Sequence, residues 1–220
     1  MGELAGVLSR QQVMAAKGPQ VAVDCDLAGV DLSRIDLSGW AFERCDLRKT
    51  KLAGATLEGA RWTACRGAGS DFGGADLTEA GFVGCDFNNA SFWRSTLVSA
   101  RFDGCKMTGV DFSESKDFGI GFAETLLINA RLPGFSFRKL VLQKVDFAQA
   151  DLRKCDFRDA VFEDCSLREA NLTGARFQGA DLRGADLGGV RLVDAAPFRG
   201  ATISSKQAGQ LLGELGLVVR

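Results

Sequence analysis

The chain has no histidine and no tyrosine in 220 residues, and only three prolines. Without imidazole it lacks the usual general base near neutral pH and the commonest metal ligand. Its seven cysteines form no Cys-x-x-Cys pair, so no zinc spacing is present. No phosphate-binding glycine loop and no nucleophile motif occurs either. Catalysis would have to come from carboxylates, lysine or cysteine in a cleft. The expectation is a protein that is not an enzyme and carries no cofactor and no metal. Long apolar runs are also missing, which excludes a membrane-spanning helix. The first twenty residues lack a basic start followed by an apolar stretch, so no export signal is expected. Residue 6 is Gly, not Ser or Thr, so Gly2 is no myristoylation signal. The default location is therefore cytoplasmic. Charge of one sign is lacking too: 27 basic residues face 28 acidic ones, a net charge of −1. No overall field favours nucleic acid or an anionic membrane, and direct binding to either is not expected.

What is present is a period of five. Stepping by five from Leu27 to Leu192 reaches 34 positions, and 32 of them are Leu, Phe, Trp or Met; only Gly67 and Asp117 fail. No helix has this period, and no flat strand does. A fixed short period marks a solenoid. Two residues before each apolar centre stands a smaller side chain, such as Cys25, Val30, Ile35, Cys45, Ala55 or Ala60. One residue before it is often Asp, as at 26, 31, 36, 46, 71 and 76, and two after it is often Gly, as at 29, 39, 54, 59 and 74. A second period comes from the cysteines. All seven occupy the small position, and Cys25, Cys45, Cys65, Cys85 and Cys105 are twenty apart, with Cys165 in the same series. A coil of four five-residue units would place these six on one edge, about 4.8 Å apart per rung. They read as small apolar filler rather than disulfides, because side chains in one ladder point the same way.

The unit small–Asp–Leu/Phe–polar–Gly resembles the A-D/N-L-x-x unit of the pentapeptide-repeat family, from about residue 25 to 194. That resemblance implies an all-β solenoid, a right-handed quadrilateral β-helix of eight to nine coils, roughly 40 Å long at that rung spacing. The expected organisation is an N-terminal helical cap over 1–24, the β-helix over 25–194, and a C-terminal helix and tail over 195–220. Solenoid ends need covers. Ser9-Arg10-Gln11-Gln12 fits a capping box for a helix running to about Lys17, with Val13 and Met14 free to dock on the first coil. At the other end Ser204 or Ser205 can cap a helix whose apolar side is Ala208, Leu211, Leu212 and Leu215, followed by Leu217-Val218-Val219. That apolar content exceeds what one edge needs. A homodimer is therefore expected, with Ala208, Leu211, Leu212, Leu215, Leu217 and Val219 at its interface.

The pattern frays between Ser115 and Val145. Asp117 sits at an apolar centre, which predicts a local slip or a partner for its carboxylate, with Phe118 replacing the centre or left exposed. Phe135 and Leu140 are oversized for small positions. Leu126, Ile128 and Val141 fall at outward positions, as does Trp93 beside Arg94. The candidate partner surface is Trp93, Lys116, Asp117, Phe118, Leu126, Ile128 and Arg131. At Gly67, Trp62 of the same coil is expected to fill the missing volume.

Two segments are similar to the branch of the family formed by Qnr-type quinolone-resistance proteins, MfpA and AlbG. They are Cys105-Lys106-Met107-Thr108-Gly109-Val110-Asp111-Phe112 and the terminal Gln207-Ala208-Gly209-Gln210-Leu211-Leu212-Gly213-Glu214-Leu215-Gly216-Leu217. The resemblance implies a two-fold dimer through the terminal helix that binds DNA gyrase or topoisomerase IV and counters poisons such as quinolones or albicidin. Part of that branch's proposed mechanism is imitation of duplex DNA by acidic sides. Outward charges sorted onto the four sides of this chain leave each close to neutral, so only shape supports such imitation. The phase is unbroken, so the loops that interrupt Gram-negative Qnr repeats have no counterpart. The alternative function is a generic interaction scaffold for some other partner.

Overall fold

A computed structural model describes residues 2–189, 195–213 and 216–218. The chain is a four-sided parallel β-solenoid of about nine coils. It divides into two compact units, Met1–Leu126 and Leu127–Arg220.

In the first unit, strands β1 (Gly2–Val7), β2 (Gln20–Asp26), β3 (Ala41–Glu43), β4 (Arg61–Thr63), β5 (Gly81–Val83), β6 (Arg101–Asp103) and β7 (Gly121–Ala123) follow one another as parallel neighbours. From β2 onward the register step is twenty residues: Ala22 pairs with Phe42, Phe42 with Trp62, and Trp62 with Phe82. The other three sides are ladders of single bridges with the same step, such as Asp26 to Asp46, Asp31 to Lys51 and Asp36 to Thr56. The second unit repeats this with β8 (Val141–Gln143) on β9 (Val161–Glu163) and β10 (Cys165–Ser166) on β11 (Ala185–Asp186).

Each five-residue unit is one side and one turn. The carbonyl of Leu52 accepts from the amide of Ala55 at 3.0 Å, and Gly54 between them has φ +66°. That is a hydrogen-bonded turn with a left-handed third residue. Many corners manage without glycine: among the described residues nineteen non-glycine residues, Arg34, Lys49, Asn89 and Lys154 included, sit at φ between 47° and 62°. Each costs about 1–2 kcal/mol in isolation. The stack imposes the corner, and glycine only relieves it. The recurrent aspartate closes the same turn. Asp71 Oδ1 accepts from the amide of Gly73 at 2.8 Å, and Asp26, Asp31, Asp111 and Asp146 do the same two residues on. A side chain that hydrogen-bonds its own backbone two residues ahead favours this bend.

The interior is filled by the centres. Aromatic rings stack rung on rung, Trp62 on Phe82 at 4.4 Å, Phe72 on Phe92 at 4.6 Å and Phe137 on Phe157 at 4.9 Å. Burying each Leu or Phe contributes about 1.5–3 kcal/mol before chain entropy is set against it.

Several local expectations change. Helix α1 (Arg10–Ala15) has the Ser9–Gln12 capping box but stops two residues short of Lys17; Val13 is buried while Met14 points to solvent. The residues before Ser9, which carry no five-residue signal, form β1 on the edge of β2. The phase does not slip at Asp117. Lys116 keeps its bridge to Thr96, and the Asp117 carbonyl accepts from Ile120 at 3.0 Å. The gap at Gly67 is filled from the next rung, not from its own. A β-carbon on Gly67 would meet Cε1, Cδ1 and Cζ of Phe87, so the Phe87 ring, not Trp62, occupies that space. Trp62 instead stacks flat between Phe42 and Phe82. Phe135 is fully accommodated, whereas Leu140 is only half-buried.

Candidate functional site

The candidate partner residues of the first unit lie on separate ladders. Trp93 stands at the corner after the Ser91–Asp111 ladder, 40% exposed, with the Arg94 guanidinium 4.2 Å above its ring. Arg94 also donates to Glu114 at 2.7 Å, which holds the Glu114 carboxyl below its usual range. Phe118 follows the Thr96–Lys116 ladder and is 80% exposed beside exposed Lys116 and half-buried Asp117. Leu126, 37% exposed, continues a third ladder above Lys106. They do not converge on one patch. In the second unit Ile128 is half-buried, and Arg131 is exposed on the ladder it shares with Asp151.

Four of the recurrent aspartates are engaged by arginine. Arg48, Arg153, Arg158 and Arg183 each grip the aspartate two residues earlier, at 2.5, 2.7, 2.6 and 2.5 Å. Arg66 and Arg176 reach Asp46 and Asp156 from the following coil at 3.5 and 3.0 Å. The hydrogen bond from its arginine is the main cause that lowers the carboxyl of Asp46, Asp151 and Asp156, and it brings Asp181 down to about 2.

The cysteines form the anticipated ladder. The amide of Cys45 donates to Cys65 Sγ and that of Cys65 to Cys85 Sγ, both at 3.4 Å. Thr125 takes over the position after Cys105, accepting from its amide at 3.4 Å. All seven thiols are buried and none forms a disulfide. Burial pushes Cys25 up to about 11 and raises Cys165, so these two thiols stay protonated. Among the described residues no cluster of three potential ligands could hold a metal, and no helix is long and apolar enough to cross a membrane. A shallow concavity of about 410 Å³ lies beside α1, where Arg10 donates to the carbonyls of Asp31 and Ser33 at 2.6 and 3.2 Å. These bonds tie α1 to the coil.

At the other end, helix α2 (Ser205–Gly213) carries the reciprocal box in which Ser204 and Gln207 exchange hydrogen bonds at 2.7 and 3.2 Å. Gln207, not an apolar residue, is the buried anchor. Its Nε2 donates to the carbonyls of Leu182 and Ala185, both at 2.7 Å. Ala208 and Leu211 are half-buried, and Leu212, Leu217 and Val218 are exposed. Leu215 and Val219 fall outside the described residues. The anchoring role of Gln207 had no signal in the apolar pattern; the Ser-x-x-Gln spacing pointed only to its part in the cap.

The family model for pentapeptide repeats matches in several overlapping copies, which cover 25–61, 45–82, 63–94, 75–114, 122–159 and 155–194. The chain belongs to the pentapeptide-repeat family. No curated protein sequence matches it. Among solved structures it is similar to a trypsin-treated variant of QnrB1, a plasmid-mediated fluoroquinolone resistance protein, with TM-score 0.80 and 23% identity over 92% of this chain and 100% of that one. Full-length QnrB1 matches with TM-score 0.66 and 17% identity, over 98% of each chain. At this identity the likeness is one of fold.

Proposed function

We propose that this chain is a non-enzymatic, cytoplasmic homodimer that binds DNA gyrase or topoisomerase IV and protects it from poisons such as quinolones or albicidin. The observation that carries this reading is the end-to-end match to the fold of a fluoroquinolone resistance protein. The exposed apolar side chains Leu212, Leu217 and Val218 beside half-buried Leu211 support pairing through the C-terminal segment. Because arginines neutralise so many carboxylates, contact with the enzyme rests on shape and on exposed groups such as Trp93 and Phe118 rather than on an acidic imitation of DNA. The test is a gyrase supercoiling and cleavage assay with purified protein, with and without ciprofloxacin or albicidin. Recovered supercoiling in the presence of drug supports the reading. Neither inhibition nor rescue at micromolar protein would leave a scaffold for another partner. Sedimentation of the wild type against Leu212→Glu tests the dimer separately.

A further inference from the structure

The overall charge of −1 conceals a partition inside the unit Leu127–Arg220. Two adjacent sides of its coils are the ladder Arg131, Asp151, Asn171 and the ladder Ser136, Asp156, Arg176. The corner after the first carries Arg153 and Lys154, and the corner after the second carries Arg138, Lys139 and Arg158. Among the described residues, these two ladders and their corners hold seven basic residues and three carboxylates. The other two sides, among the described residues, hold three basic residues against six carboxylates: Asp146, Glu163, Asp164, Glu169, Asp181 and Asp186.

The three carboxylates on the basic sides are all occupied. Arg153 holds Asp151 at 2.7 Å, Arg158 and Arg176 share Asp156 at 2.6 and 3.0 Å, and Arg138 lies 3.8 Å from Asp159. Lys139 and Lys154 are exposed at left-handed corners and form no ion pair. Outward positions of these two sides carry no Leu, Ile, Val, Met or aromatic residue. A protein partner is gripped mainly by buried aromatic and aliphatic anchors, which this face does not offer. A single-stranded nucleic acid needs aromatic platforms for its bases, also absent here. A duplex needs only cations in register with phosphates, and its binding free energy comes from released counterions.

We propose that this face binds the phosphate backbone of duplex nucleic acid without reading base sequence. The proposal goes beyond protection of a topoisomerase and stands or falls separately from it. The test is fluorescence anisotropy of a labelled duplex of about 20 base pairs, titrated with the full chain across a salt series. Four net positive charges predict that log affinity falls against log salt with a slope of about −3 to −4. Lys139→Glu with Lys154→Glu is expected to weaken binding at least about tenfold and to flatten that slope. Glutamate already occupies equivalent left-handed corners at Glu79, Glu114 and Glu169, so the fold tolerates the change, and an unchanged melting temperature confirms it. Lys49→Glu, at the same kind of corner in the other unit, is expected to bind like wild type. Any of four results overturns the proposal: no binding at low salt, equal loss in Lys49→Glu, tighter binding of single strands, or poly-glutamate bound as tightly as the duplex.

Discussion

Replacing Gly67 by leucine would complete the five-residue pattern, and the pattern alone predicts a gain. The structure predicts a loss. Gly67 is buried, and its φ lies outside the left-handed range, so the cost of a side chain there is purely steric. The ring of Phe87 already stands where a β-carbon would go, packed edge-on against Phe82 at 5.3 Å and tilted against Phe72 at 5.7 Å. Even alanine must push that ring out of place, and overpacking of this kind costs about 1–3 kcal/mol. Phe87→Ala removes a fully buried ring and is expected to cost about 3–5 kcal/mol. The double variant Gly67→Leu with Phe87→Leu gives both rungs an ordinary centre, and it should be more stable than the sum of the two single changes predicts. Urea denaturation of the four species closes the cycle, with a coupling of about 0.5–3 kcal/mol expected for residues in contact. A neutral or stabilising Gly67→Ala, or strict additivity in the cycle, would refute the assignment of Phe87 to the gap.

Acid should weaken the fold through its arginine-gripped aspartates. Asp46, Asp151, Asp156 and Asp181 have lowered carboxyl pKa values when folded, so their contribution is complete above about pH 4, the unfolded range. It drains as pH falls toward the folded value, about 2 for Asp181. Melting temperatures measured from pH 6 to pH 2 should drop over that window, and a flat profile would contradict it. Gln207→Ala leaves the carbonyls of Leu182 and Ala185 without their side-chain donor and is expected to cost about 1–3 kcal/mol. Limited proteolysis should then cut earlier around α2, and an unaltered digestion pattern would argue against the anchor.

Some of this architecture was readable before any coordinates. The leucine and phenylalanine period defined which centres face inward, and Cys25 to Cys105 independently supplied the coil length; among the described residues the Leu, Phe, Trp and Met centres are buried and the ladders step by twenty. The outward placing of Trp93, Leu126 and Val141 followed from the same phase, whereas for Phe118 the sequence left two placements open and the structure exposes it. Strand β1 did not, because it borrows its register from β2 and needs no repeat of its own. The docking of α2 through Gln207 escaped the apolar pattern because a buried amide is acceptable only where two carbonyls happen to await it.

The order of side chains along the chain was enough to place one apolar centre in every five residues and, through the cysteines, twenty residues in each coil, while the four-cornered form was what the family resemblance implied. Only the folded molecule decided what fills the hole at Gly67, how carboxylates and arginines pair, and where positive charge collects. Those outcomes depend on neighbours twenty residues away on the next rung, where volume and charge are shared between coils rather than along the chain.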